Sequence, residues 1–449
     1  MKSVTVMLVA ALTGTAAAQS TPAAPGGPNP AAPATNGGPE VLTLERAIEI
    51  AMRQQPSLRQ TKAQLEAANG RAELSRVGAR PTIGLSGTLA TGSSRGVGTG
   101  TMGTVEGGFF THTESTNLQA SASWRIYDFG QTAASIRAAE LNADAAAAAV
   151  GTSQLDVRTG VETAYLEAVA RRKLVEVAEA TVKSEDAHLD QARRFVAAQA
   201  KDPIEVAQAQ SRDANAKSAL AQAQSNEAIA LANLRSAIGW VDPANSPIVS
   251  PNWPTPSEAE PPVLAALVDT ARKTRPEIVQ LDKELQAADA SLDAARAERR
   301  PVLSANASTV WSPGTGDWSP EPSWSAGLTL SWNLFDGGRA SADARIARAN
   351  VQSAIASRDA LLVTLTSQLD SSRSQIVANR ANVQASTEAV TAARAQLQLA
   401  EARYTQGLGS QIELADAQTA VTTAQGNLVT AEFQLSTAWA QLRRQTAQP

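Results

Sequence analysis

The 449-residue sequence contains no cysteine and only two histidines. The first absence excludes disulfides, thiol chemistry, Cys-ligated metal sites and acylation on cysteine, so no lipid anchor follows an export signal. The histidines, His112 and His188, lie far apart in the chain, which argues against a His-built metal site or catalytic dyad. The formal net charge of -4 gives no argument for a nucleic-acid surface. Beyond the N-terminus, no run of about 20 apolar residues is present to cross a bilayer as a helix, so any insertion must use strands. No Walker loop, HExxH or GxSxG occurs. The sequence therefore predicts no enzyme, no metal and no cofactor.

What is present begins with an export signal. Lys2 supplies the positive start, Val4 to Leu12 the short apolar core, and Ala16-Ala17-Ala18 a small-residue cleavage site. Residues 1–18 are expected to be removed. Residues 19–40 are rich in Pro, Ala and Gly with little apolar mass, and read as a flexible leader.

The remainder is a duplication. Pro56 matches Pro276, Pro81 matches Pro301, and "WRIYDFG" at 124–130 matches "WNLFDGG" at 332–338. "PIEVAQAQ" at 203–210 resembles "QIELADAQ" at 411–418. The first repeat covers 41–239, a Pro-rich linker 240–262, the second repeat 263–445, and a tail 446–449. Each repeat predicts a helix of about forty residues ending near a Pro, two strands, a very long helix, an interruption and another helix. The long helices are expected from about Gly130 to Gln199 and from Gly338 to Gln406, each on the order of 100 Å. Ile376, Val383, Val390, Leu397 and Tyr404 recur every seven residues, with Ala393 and Ala400 as small companions and polar Asn379 and Ser386 before them. Val175, Val182, Leu189 and Val196 do the same in the first repeat. Large against small permits close helix packing, in a coiled coil or in a generic bundle.

The strands are expected near 82–90, 117–127, 302–311 and 323–334. Each alternates, most cleanly in "WSAGLTLSWNL", where Trp324, Ala326, Leu328, Leu330, Trp332 and Leu334 share one face. The opposite faces are small, polar and uncharged apart from Arg125. Aromatics cluster at the segment ends: Trp124, Tyr127, Trp332 and Phe335 at one level, Trp311 and Trp324 at the other, with Phe109 and Phe110 near the latter. Both features favour a membrane barrel over a soluble sandwich. Four strands cannot close one, and open edges in lipid leave backbone groups unpaired. Several copies must share a barrel; two would give eight strands and three would give twelve. At the end of the strand pairs, Asp128 and Asp336 are placed to cap the following helices, and Gly130, Gly337 and Gly338 to turn strand into helix.

The ordered landmarks, together with "RYTQGLGSQIELADAQTA" at 403–420, resemble the outer membrane efflux protein family, the TolC-like exit ducts of Gram-negative bacteria. The likeness covers essentially all of 41–445. It implies a mainly α fold with transmembrane β: a duplicated helix–β-hairpin–helix chain whose long coiled-coil helices form a periplasmic tunnel. It implies a homotrimer with one 12-stranded barrel in outer-membrane lipid, and an equatorial band built from the linker and the C-terminal segment. It further implies a periplasmic adaptor and an inner-membrane pump or secretion ATPase as partners. The resemblance places a periplasmic gate at Glu413 and Asp416, after the turn at Gly407 and Gly409. Their spacing alone is equally that of a solvated helix start. The first-repeat tip, with Lys201, Asp202 and Pro203, reads "FVAAQAKDPIEV" at 195–206 against "YTQGLGSQIEL" at 404–414, which sets Phe195 against Tyr404; it lacks the matching Gly, is expected to be one residue longer, keeps Glu205, and has Gln208 in place of the second acid. The implied function is passive export in efflux or type I secretion; the alternative is a periplasmic coiled-coil adaptor or scaffold without a pore.

Overall fold

The computed structural model describes residues 41–96, 109–241, 248–249, 253, 260–313 and 320–448. The signal, the leader, most of the linker and the last residue lie outside that set, as do the side chains of Phe109, Phe110 and His112. The chain opens with β1 (Val41–Leu42), α1 (Leu44–Gln54) and α2 (Pro56–Val77). A hairpin follows, β2 (Thr82–Gly96) and β3 (Phe109–Tyr127), then α3 (Gln131–Ala197) and α4 (Pro203–Ile238). After β4 (Ile248–Val249) the order repeats: α5 (Leu264–Thr274), α6 (Pro276–Ala297), β5 (Val302–Pro313), β6 (Pro320–Ser331), α7 (Arg339–Thr405) and α8 (Gln411–Thr446).

The repeats agree almost residue for residue. Both long helices have 67 residues, and α4 and α8 each have 36. The intervening turns, 198–202 and 406–410, are of equal length, which corrects the expected extra residue in the first tip. Val196, rather than Phe195, is the counterpart of Tyr404. A second correction concerns the opening helix of each repeat, which is broken at the proline. Gln55 (ψ 122°) and Arg275 (ψ 123°) are extended, because a proline ring disfavours the α region for the residue before it. Pro56 and Pro276 then start α2 and α6, where a missing N–H costs nothing.

The heptad positions are core. Val175, Leu189, Ile376, Val390 and Tyr404 are buried with Ala393 and Ala400, and Val383 and Leu397 pack beside them. The largest clusters occupy equivalent places in the two repeats: Leu58, Val161, Val169 and Leu234 in one, Ile278, Leu369, Ile376 and Leu442 in the other. Each such side chain contributes about 1.5–3 kcal/mol by burial. Helix α3 packs on α2, α4, α6 and α8, and α7 packs on α5, α6 and α8. Where α3, α6 and α8 meet, Arg444 binds Asp156 (2.6 Å) and Glu277 (3.5 Å), and Arg443 binds Glu162.

The chain start and the linker are tied to this level. β1 pairs in parallel with β4, and Tyr165 Oη donates to the Leu42 carbonyl at 3.0 Å. From the linker, Trp253 Nε1 donates to Glu432, and Lys173 Nζ lies 4.7 Å above the Trp253 ring.

The four long strands form one antiparallel sheet in the order β2-β3-β5-β6. Its register stacks the apolar residues in rows, such as Ile83–Ala122–Ala307–Ala326 and Leu85–Ala120–Thr309–Trp324. Ile83, Leu85, Leu89, Trp324, Leu328 and Leu330 are all exposed. The other face carries rows such as Gly84–Ser121–Ser308–Ser325. β2 and β3 run further than expected. β6 ends at Ser331, so Trp332, Leu334 and Phe335 lie past the strand. Among the described residues no helix is long and apolar enough to cross a membrane.

Candidate functional site

Two levels of the fold gather the singled-out residues: the strand-to-helix junctions and the far ends of the long helices. At the first junction a bulge between Arg125 and Tyr127 inserts one residue into β3. Strict alternation would leave Tyr127 on the Arg125 face; the bulge re-aims it to stand opposite Leu303 in the apolar row. Asp128 then accepts the N–H of Gly130 (3.2 Å), the N–H of Thr132 (2.8 Å) and the Thr132 hydroxyl. Asp336 does the same for Gly338 and Ala340, both at 2.8 Å. The residues in the capping positions are Gly130 (φ 94°) and Gly338 (φ 90°), so the aspartates act from two residues earlier than expected.

Burial pushes the Asp128 carboxyl up, but the Thr132 hydroxyl and the backbone N–H groups outweigh it and hold it below the usual carboxylate range. Backbone N–H bonds from Ala340 and Gly338 lower Asp336 likewise. The residue between Asp and Gly differs between repeats. Gly337 has φ 67°, whereas its counterpart Phe129 adopts φ 54° despite its Cβ. That conformation costs about 1–2 kcal/mol. It sets Phe129 edge-to-face on Tyr127, with centroids 4.7 Å apart.

The aromatic residues at this level are exposed: Trp124, Tyr127, Phe129, Trp332 and Phe335. The two indoles are nevertheless satisfied. Trp124 Nε1 donates to the Ala79 carbonyl and Trp332 Nε1 to the Arg299 carbonyl, each at 3.1 Å. Of the pair expected at the opposite level, Trp324 is 81% exposed and Trp311 is half-buried.

At the far ends, Ser410 caps α8 by accepting the Glu413 N–H at 3.1 Å. Gly407 has φ 75°, and its counterpart Gln199 adopts φ 55° in the first repeat. At Gly409 a Cβ would meet Tyr404 N at 3.0 Å, so the turn closes tightly on α7. The Glu413 carboxylate pairs with Arg403 of its own chain at 3.2 Å. Asp416 is exposed and lines a groove of about 950 Å³ between α7 and α8, with Asn382, Ser386, Gln396 and Thr419.

The first tip is bound to the second. Tyr404 Oη donates to Glu205 at 3.0 Å, and Gln411 Nε2 donates to the Glu205 carbonyl at 3.0 Å. Lys201 pairs with Glu205 (3.3 Å) and lies 5.3 Å above the Tyr404 ring, which Phe195 meets edge-on. Pro203 starts α4 after Asp202, whose side chain makes no capping bond. Burial and the Glu205 carboxylate push the Tyr404 hydroxyl up to about 12. Further along the same seam, Thr181 bonds Thr422 (3.0 Å) and Ser184 bonds Gln418 (3.2 Å). Ser184 Oγ also meets His188 Nε2 at 3.2 Å.

Burial depresses His188, with Arg212 adding to the effect and Glu185 and Glu401 opposing it. A depressed folded pKa stabilises the fold fully above the unfolded value of 6.5. The seam is expected to loosen as pH falls from there through the lower folded value. Replacing His188 with Gln should remove that pH-dependent component, read as hydrogen exchange along 181–192.

Among the described residues no acidic or histidine cluster could hold a metal. The duplicated architecture, with its exposed apolar sheet face, agrees with what the sequence profile of "outer membrane efflux protein" finds: a match over residues 47–240 and 267–448. The chain belongs to that family.

This outer membrane efflux protein is 32% identical over 318 residues to Protein CyaE of Bordetella pertussis. The match covers 69% of this chain and spans 64% of the length of that relative. A solved membrane protein from Pseudomonas aeruginosa superposes with a TM-score of 0.78 at 21% identity, covering 91% of this chain and 93% of its own. The CmeC outer membrane channel of Campylobacter jejuni gives 0.76 at 15% identity, covering 90% and 85%. These two establish the fold. Outer membrane efflux proteins are channels rather than enzymes, and their place is the outer membrane with the helical part toward the periplasm. In this member, sequence reasoning missed Tyr404 as a cross-repeat contact, Gln411 as its neighbour, and Phe129 at the junction. The Tyr was visible only as a heptad position, and its partner lies 199 residues away.

Proposed function

We propose that three copies of the chain build one exit duct, with twelve strands in the outer membrane and a helical tunnel below. The observation that carries this is the four-stranded sheet with two unpaired edges, β2 and β6, and an exposed apolar face. In lipid such edges must close on further copies. Strands of 12 residues in β5 and β6 suit a tilted barrel crossing. The helices point the same way: Leu74 on α2 and Ile346, Val363, Val377 and Leu399 on α7 are exposed on flanks that a neighbouring copy would cover.

In this reading the protein is passive. Family members typically work as homotrimers with periplasmic adaptors and inner-membrane pumps. We assign this one to a tripartite efflux or type I secretion system whose pump supplies energy and whose adaptor meets the tips at Lys201–Pro203 and Gly407–Gly409. Residues 1–18 serve as the signal, 19–40 as a leader, and 240–262 as the equatorial linker. Asp416 acts at the constriction, where three copies would focus negative potential. Glu413 contributes to the same ring and is tethered by Arg403 while the tip is closed.

The deciding experiment is reconstitution of the mature chain. Heat-modifiable trimers and cation-selective conductance in planar bilayers are expected. Asp416→Ala with Glu413→Ala should lower cation selectivity several-fold while trimers persist. A soluble monomer without conductance would instead favour the pore-less scaffold.

A further inference from the structure

Three arginines stand at the level where sheet becomes helix. Arg80 precedes Pro81, and Arg299-Arg300 precede Pro301, the residues that lead into β2 and β5. All three are exposed. The Trp124 and Trp332 indole bonds to Ala79 and Arg299 hold both segments beside the outward apolar row. Arg300 donates to the Phe129 carbonyl at 3.1 Å, joining the second repeat's segment to the aromatic junction of the first. The guanidinium groups of Arg80 and Arg299 make no hydrogen bond or ion pair with another described residue. Arg125 is excluded from this group; it lies on the opposite sheet face and pairs with Asp128 at 3.6 Å.

The nearby acids offset this cluster only in part: the Arg299 guanidinium helps to lower Asp336 without pairing with it. The Asp128 and Asp336 carboxylates are engaged by the N–H groups of the following helices. Glu298 is exposed at the end of α6 and sits beside two arginines. An arginine concentration of this kind, in a chain whose net charge is -4, is local. Exposed guanidinium groups on segments bonded to exposed indoles present donors for a phosphate beside a surface for acyl chains. A soluble phosphate would use only the first of these.

We propose that Arg80, Arg299 and Arg300 bind the phosphate of anionic phospholipids in the periplasm-facing leaflet of the outer membrane. The inference rests on the barrel reading above. In the trimer the cluster recurs around the rim and fixes the height of the barrel against the headgroups. Neutral zwitterionic lipid offers the same acyl chains without the net negative charge, so the preference between lipids isolates the arginine contribution.

The test titrates the purified full-length protein with phosphatidylglycerol and phosphatidylcholine in detergent and counts retained lipid by native mass spectrometry. Phosphatidylglycerol should be retained about fivefold or more over phosphatidylcholine, and the preference should weaken with salt. It should fall in the double variant Arg80→Gln/Arg299→Gln, which removes no described side-chain hydrogen bond or ion pair, and return in Arg80→Lys/Arg299→Lys. Excess glycerol 3-phosphate should leave it unchanged; displacement by that compound would mark a soluble-phosphate site and overturn the lipid assignment. Equal retention of both lipids, or an undiminished preference in the Gln variant, also overturns it. Conductance of the same samples separates the readings. Conducting trimers without lipid preference defeat the headgroup site alone, whereas no conducting trimer in any lipid defeats the duct and this inference together.

Discussion

Leu85→Arg should abolish assembly in the membrane, whereas Ser86→Arg, one residue along, should leave trimers intact. Leu85 is 71% exposed and shares its row with Ala120, Thr309 and Trp324. Ser86 points to the other face, opposite Gln119. A charged side chain on the lipid face near the bilayer midplane costs about 2–4 kcal/mol, and a closed trimer would carry that cost three times. On the inner face of the proposed barrel the same arginine would stay in water. The measurement is the fraction of heat-modifiable trimer in outer-membrane extracts. Equal loss in both variants would mean that the sheet is buried in protein on both faces and does not line a pore.

The contrast depends on alternation, the most readable part of this chain. The period of two in "WSAGLTLSWNL" and the heptads of α7 survive because they repeat one decision many times over a long element. A single misjudged residue leaves the pattern standing. Where a single residue decides, the sequence misled. Helices α1 and α2 read as one because their apolar positions continue across Pro56, although proline's effect on Gln55 is a local rule that was there to be applied. The first tip appeared one residue longer because Phe195 was matched to Tyr404. The equal turns 198–202 and 406–410 show that the aromatic match was the wrong landmark.

Other features lacked any local signal. The bulge after Arg125 that turns Tyr127 outward is set by pairing with β5, not by β3 alone. Phe129 in a left-handed conformation has no propensity argument behind it; its Cβ is tolerated because Asp128, Gly130 and Arg300 fix the surrounding backbone. Glu413 and Asp416 illustrate a different gap. The spacing of Glu413 and Asp416 suggested one face presenting both acids. Nothing in that spacing signals the pairing of Glu413 with Arg403 or the groove that Asp416 lines.

Tyr404→Phe should raise the open probability of the reconstituted channel by about ten- to a hundredfold. In the proposed duct, opening would part the α7–α8 tip from the α3–α4 tip, and the Tyr404–Glu205 bond spans that division. A hydrogen bond to a charged acceptor contributes about 1.5–3 kcal/mol, and Phe keeps the ring against Phe195 and Lys201 while deleting only the hydroxyl. Glu205→Gln should open the channel less, because the side-chain amide still accepts from Tyr404 while losing the ion pair with Lys201. The pH dependence has a definite sign. The folded Tyr404 value of about 12 lies above the ordinary 10, so the latch is fully present below pH 10 and is lost as pH rises from there to about 12. Alkaline opening in that window should vanish in Tyr404→Phe. A wild-type channel whose single-channel records do not differ from those of the Phe variant at pH 7 would show that the closed state is held elsewhere along the seam, at Ser184–Gln418 or Thr181–Thr422.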